Sequence, residues 1–73
     1  MEMLEALKKR YQAQIAEAEA TLHIYLFKSV GIGEHPQHLE EMGKQLDIIA
    51  TNDDRLTTLK KYFSDYNEAR GNI

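Results

Sequence analysis

From Leu4 to Ser29 the apolar residues return every three or four positions, at Leu4, Leu7, Tyr11, Ile15, Ala18, Leu22 and Leu26. A stripe with that spacing runs along one side of an α-helix. It repeats in elevens, with Leu4, Ile15 and Leu26 in one column, Leu7, Ala18 and Ser29 in the next, and Tyr11 above Leu22. Eleven residues in three turns make a nearly straight rod. At 1.5 Å per residue the rod is about 39 Å long, and a helix of that length needs a partner along it. The rest of the chain must supply that partner.

The break that allows it is Gly31-Ile32-Gly33-Glu34-His35-Pro36. Glycines accept the backbone angles that end a helix, and proline is pre-set for the first position of the next one. His35, preceding proline, is pushed out of helical geometry, and Val30 and Ile32 are expected to fold back over the end of the core. From Pro36 the apolar pattern resumes at Leu39, Met42, Leu46 and Ile49, then Leu56, Leu59, Phe63 and Tyr66. Thr51-Asn52-Asp53-Asp54 contains good capping residues and offers a break into a third helix. Against it, Ile49, Leu56 and Phe63 are seven apart, as are Asn52, Leu59 and Tyr66, so one unbroken helix keeps one face with Asn52 as its polar interruption.

The expected fold is therefore all-α, a single 1–73 domain. It is read as an antiparallel helical hairpin of coiled-coil type, with helices over about 2–30 and 36–69 and a turn at 31–35. Folding at the turn brings together positions whose numbers sum to roughly 67. Leu7 and Tyr11 are then expected beside Leu59 and Leu56, and Leu22 and Leu26 beside Leu46 and Met42. In Leu22-His23-Ile24-Tyr25-Leu26-Phe27 nearly every position is apolar, so Ile24 and Phe27 fall off the stripe. With Ile48, and with Gly43, where glycine costs a helix about 1 kcal/mol, they are the candidate interface of a homodimeric four-helix bundle.

Composition narrows the function classes. A chain of 73 residues is close to the size at which one core barely suffices, and with no cysteine neither disulfides nor thiolate-bound metal can reinforce it. No apolar run approaches the roughly 18 residues of a membrane span, and Met-Glu-Met-Leu-Glu lacks the basic flank of a secretion signal, so a cytoplasmic chain is expected. The net charge of −3 argues against wholesale phosphate binding. Its distribution is uneven: residues 1–14 and 53–73 together carry +1, and residues 15–52 carry −4.

Three constellations invite chemistry. Lys8, Lys9 and Arg10 should lie level with Lys60 and Lys61 at the open end of the hairpin, near Arg55, Tyr11 and Tyr62. A basic patch with aromatic neighbours can hold nucleic-acid phosphates, although Glu5, Asp54 and Asp65 lie close enough to pair with it. His35 and His38 have imidazoles that suit zinc or nickel, with Glu34 or Glu41 as oxygen donors, but the set lacks a thiol and the His-Glu-x-x-His spacing. Exposed polar residues on a first helical turn are the simpler reading of both histidines, and no cofactor is expected. Catalysis has less support, because Ser29 and Ser64 sit in no nucleophile elbow and the acid pairs Glu40-Glu41 and Asp53-Asp54 are adjacent, hence splayed around a helix.

Val30-Gly31-Ile32-Gly33-Glu34-His35-Pro36-Gln37 followed by Leu39-Glu40-Glu41-Met42, within Ala18 to Ile49, resembles a group of small uncharacterised proteins encoded by T4-like phages of marine bacteria. The resemblance implies a phage origin and an all-helical form, and brings no catalytic residue with it. Gly43 departs from the acidic or amide-type residue that would suit that helical position better. On these grounds the chain is expected to be a non-enzymatic structural or protein-interaction protein that self-associates, in the host cytoplasm or the virion. The alternative is a small nucleic-acid-associated regulator using the basic patch.

Overall fold

The computed structural model describes residues 2–28 and 36–70, with side-chain surroundings given for 2–27 and 37–64. Two helices account for all of them: α1 (Glu2–Lys28, 27 residues) and α2 (Pro36–Arg70, 35 residues). Glu2 and Glu5 stand in the first turn of α1, where carboxylates oppose the positive end of the helix dipole. Pro36 opens α2, the position at which its missing N–H costs nothing. The readings that fall on the turn, including the roles of Gly31, Gly33, Glu34, His35, Val30 and Ile32, lie outside the described residues.

Helix α2 runs through Thr51-Asn52-Asp53-Asp54 without a break. The capping residues there are overridden because the flanking turns keep one face against α1, and tertiary packing outweighs a local capping preference. The two helices pack against each other as a hairpin, a rod of 53 × 16 × 14 Å. Thirty-five residues at 1.5 Å per residue come to about 52 Å, so α2 alone sets the length of the molecule. The radius of gyration is 16.2 Å, against about 11 Å for a compact chain of this size, so little can be enclosed.

The seam follows a different repeat from the one expected. In α1 six of the seven stripe positions, Leu4, Leu7, Tyr11, Ile15, Ala18 and Leu22, are covered, and Gln14, Thr21 and Tyr25 join them, so that Leu4, Tyr11, Ala18 and Tyr25 form a column seven apart. Leu26, the eleven-step position, is 51% exposed. In α2 the covered columns are also seven apart: Met42, Ile49 and Leu56, and beside them His38, Gln45, Asn52 and Leu59. Two helices share a seam over their whole length only when their repeats agree, and the heptads of α2 impose theirs on α1. Tyr25 therefore takes the place of Leu26. Asn52 is likewise not the lone polar interruption, since His38 and Gln45 occupy the same column.

Two ring contacts fix the pairing. Tyr25 meets His38 edge to face, with centroids 5.3 Å apart, and the Arg55 guanidinium carbon lies 5.4 Å from the centroid of Tyr11. These pairs sum to 63 and 66, an antiparallel register within a turn of the one expected. Leu26 and Leu46 do not bury one another, because both stand on the outer side of the seam, 51% and 58% exposed. Ala18, at 2% exposed, is the only buried hydrophobic residue among those described, and no large side chain is fully enclosed. No helix among the described residues is long and apolar enough to cross a membrane.

Candidate functional site

The middle of the seam is polar, and it opens on one flank into a groove of about 580 Å³. Half of its lining comes from the heptad columns that form the seam, and the rest from the exposed residues beside them. Gln14, Ala18 and Thr21 of α1 face Gln45, Asn52 and Arg55 of α2 across it, with Ile48 at the rim. A small residue at Ala18 is what keeps the groove floor low.

Asn52 is the deepest polar group, 3% exposed. Its amide nitrogen donates to the Ile48 carbonyl oxygen at 2.8 Å, one turn back on the same helix, and its Oδ1 accepts from Arg55 Nη1 at 3.4 Å. Burying an amide costs free energy unless its hydrogen bonds are replaced, and here they are replaced locally. No buried side-chain nitrogen or oxygen among the described residues lacks a partner. Arg55 then passes over Tyr11, so the chain of contacts runs from the α2 backbone through Asn52 and Arg55 to the ring on α1.

The donors and acceptors lining this groove are amides, hydroxyls and one guanidinium, with Glu17 and Asp47 at its edges. The Thr21 hydroxyl donates to the Glu17 carbonyl at 3.0 Å, a backward bond along its own helix. Such a surface is suited to hydrogen bonding.

The sequence-derived candidates scatter around the rod. About 100° per residue separates successive side chains on a helix, which locates each one relative to the seam. Phe27 and Gly43 lie on the outer backs of α1 and α2, Ile24 on the back edge of α1, and Ile48 at the groove rim. The four are exposed but share no single surface. A Cβ added at Gly43 would meet nothing within 4 Å, so within the hairpin nothing packs closely there. The His23 ring rests edge to face on Phe27, 5.6 Å away.

The cations scatter as well. Lys8 and Lys60 fall on the flank opposite the groove, Lys9 and Lys61 on the two outer backs, and Arg10 on the groove flank. Lys61 Nζ lies 5.2 Å from the centroid of Tyr62. His35 is outside the described residues, and His38 packs against Tyr25. Glu41 accepts from Lys44 Nζ at 3.1 Å. Among the described residues no three His, Asp or Glu side chains converge as a metal ion requires.

Sequence reasoning set Arg55 and Tyr11 in one neighbourhood without stacking one on the other, and it missed the half-buried Gln14, Thr21 and Gln45. Their signal was present as the seven-residue intervals Gln14 to Thr21 and Gln45 to Asn52. The class that fold and groove define is a two-helix antiparallel hairpin with a polar central seam. Compared with family models, curated proteins and solved structures, the chain matches none.

Proposed function

We propose that the chain is a non-enzymatic structural or protein-interaction protein of phage type, which acts through its helix faces and self-associates, two hairpins forming a four-helix bundle. The observation that carries this reading is the poverty of the enclosed core. Only Ala18 is buried among the described hydrophobic residues, whereas Met3, Ile24, Leu26, Phe27, Leu39 and Leu46 are all more than half exposed. Single exposed apolar residues are ordinary, but so many on so small a rod mark a surface that is covered in use. Small chains compensate for a thin core by oligomerising, and this one has no cysteine with which to do otherwise.

A non-catalytic role is supported by the groove, whose guanidinium is engaged by Tyr11 and Asn52 and whose Thr21 hydroxyl is bonded to its own helix. The resemblance of the turn to small phage proteins is the ground for proposing that the chain acts in the host cytoplasm or the virion. Sedimentation equilibrium tests the self-association: a mass near twice 8.4 kDa at micromolar concentration is expected. A monomer throughout that range would remove the reading.

A further inference from the structure

One column on the groove side of α1 reads Met3, Arg10, Glu17, Ile24, seven residues apart. Glu17 lines the groove, Arg10 and Met3 follow it toward the open end, and Ile24 closes the column at the back edge of the helix, because a straight helix drifts about 20° per heptad. All four side chains are exposed. Read in reverse, the column is its own complement, apolar against apolar at Met3 and Ile24, cation against anion at Arg10 and Glu17. Within one hairpin Arg10 and Glu17 cannot meet, being two turns and about 10 Å apart on the same helix. Across the groove Arg55 and Asp47 repeat the arrangement on α2, with the cation again toward the open end. The salt bridge among the described residues joins Lys44 to Glu41, and Arg10, Glu17, Asp47 and Arg55 have no ion-pair partner among them.

A groove with cations at one end and carboxylates at the other fits a surface bearing the opposite order, and a second copy turned end for end bears it. With the two grooves face to face and the rods antiparallel, Arg10 faces the partner's Glu17 and Met3 the partner's Ile24, each pair of numbers summing to 27. On α2 Arg55 faces the partner's Asp47, with a sum of 102. The two-fold axis then crosses α1 beside Gln14 and α2 at Thr51. The contact of Tyr11 with Arg55 sets Thr51 level with Ile15, next to Gln14, so a single axis serves both helices. Neither Gln14 nor Thr51 uses its side chain in a hydrogen bond among the described residues, and an amide or hydroxyl beside a two-fold axis can bond its own copy. A parallel pairing sets α1 against the partner's α2 at the same level. That brings Arg10 to Arg55 and Glu17 to Asp47, and like charges in contact oppose it.

Resting on the self-association proposed above, we infer that the second copy docks groove to groove and antiparallel, Arg10 against Glu17 and Arg55 against Asp47, with Phe27 and Gly43 outside the interface. A charge swap read by sedimentation tests this. Arg10→Glu and Glu17→Arg, each alone, set like charges opposite one another twice in every dimer and are expected to raise its dissociation constant roughly tenfold. Arg10→Glu combined with Glu17→Arg restores the wild-type value, because the reversed column is again its own complement. Glu17→Arg also takes the net charge from −3 to −1, so general repulsion between chains would predict a tighter dimer where the pairing predicts a weaker one. A second measurement is independent of charge. In a chain without cysteine, a short bis-maleimide is expected to link Thr51→Cys chains in pairs and to leave Phe27→Cys chains single. A wild-type monomer overturns the self-association itself. A wild-type dimer that tolerates both single reversals, that stays weak in the double variant, or that links through Phe27→Cys and not through Thr51→Cys overturns only the groove-to-groove docking.

Discussion

Arg55 stands over the ring of Tyr11, its guanidinium carbon 5.4 Å from the centroid, and the same side chain donates to Asn52. One side chain thus links a ring on α1 to a buried amide on α2 and ties the two helices at a fixed level. A slip of one turn along α2 would separate the pair by about 5 Å. Register in this hairpin is held by polar and aromatic contacts, because the apolar seam alone reads nearly the same after a seven-residue shift.

The strength of that tie is measurable. Tyr11→Leu and Arg55→Ala, alone and together, are expected to show a coupling of about 0.5–1 kcal/mol in urea unfolding, the usual size for a cation over a ring at an exposed position. Additive effects of the two changes would mean that the contact contributes nothing to stability.

Asn52→Leu is expected to stabilise the chain. The amide spends its bonds on the Ile48 carbonyl, one turn back, and on an exposed arginine, so its removal leaves no buried partner on α1 unmet. An apolar side chain in the same place gains burial worth about 1 kcal/mol, a rise of roughly 4–8 °C in Tm for a domain of this size. An unchanged or lower Tm in a thermal melt would show that the asparagine is held by contacts across the assembled bundle.

Much of this fold is readable in the sequence, and the reasons are particular. Long apolar periodicity flanking Gly31-Ile32-Gly33 with Pro36 leaves a helical hairpin as the simplest solution, and two helices packed against each other are observed. What the sequence does not disclose is which of two adjacent residues faces the partner. Tyr25 and Leu26 are both large and apolar in part, and only the repeat of the opposing helix decides between them. The groove escapes a sequence reading for the same reason, since Gln14, Thr21 and Gln45 look like surface residues until the heptad columns of the two helices are laid together.

Gly43→Ala separates the isolated hairpin from its assembled form. A Cβ there meets nothing within 4 Å, so alanine gains the helix propensity that glycine lacks, about 1 kcal/mol. The expected result is a higher midpoint in thermal or urea unfolding with unchanged sedimentation. A lower midpoint would place another body against the outer back of α2.

The cations at the open end face in several directions, with Lys9 and Lys61 on opposite outer backs and Arg10 on the groove flank. Phosphate binding gains from cations that track one backbone, and each pair that diverges reduces the number that can engage at once. Labelled DNA or RNA is therefore expected to show no mobility shift near physiological salt. A shift that disappears on charge reversal at Lys8, Lys9, Lys60 and Lys61 would restore the nucleic-acid reading.

Ala18 is the position at which the hairpin tolerates least. It is 2% exposed and lines the floor of the groove with Asn52, between the two helices. Ala18→Leu adds three methylene-sized groups to that contact, and overpacking of this kind costs about 1–3 kcal/mol. Ala20→Leu adds the same volume on the exposed side of α1, where leucine is nearly as good a helix former as alanine, so its effect stays within about 0.5 kcal/mol. The expected outcome is a pair of variants of identical composition, of which only the Ala18 one loses several degrees of Tm and the protection of α1 amides against hydrogen exchange. Equal melting of the two would mean that the seam does not pass through Ala18, and the heptad pairing of α1 with α2 would have to be redrawn.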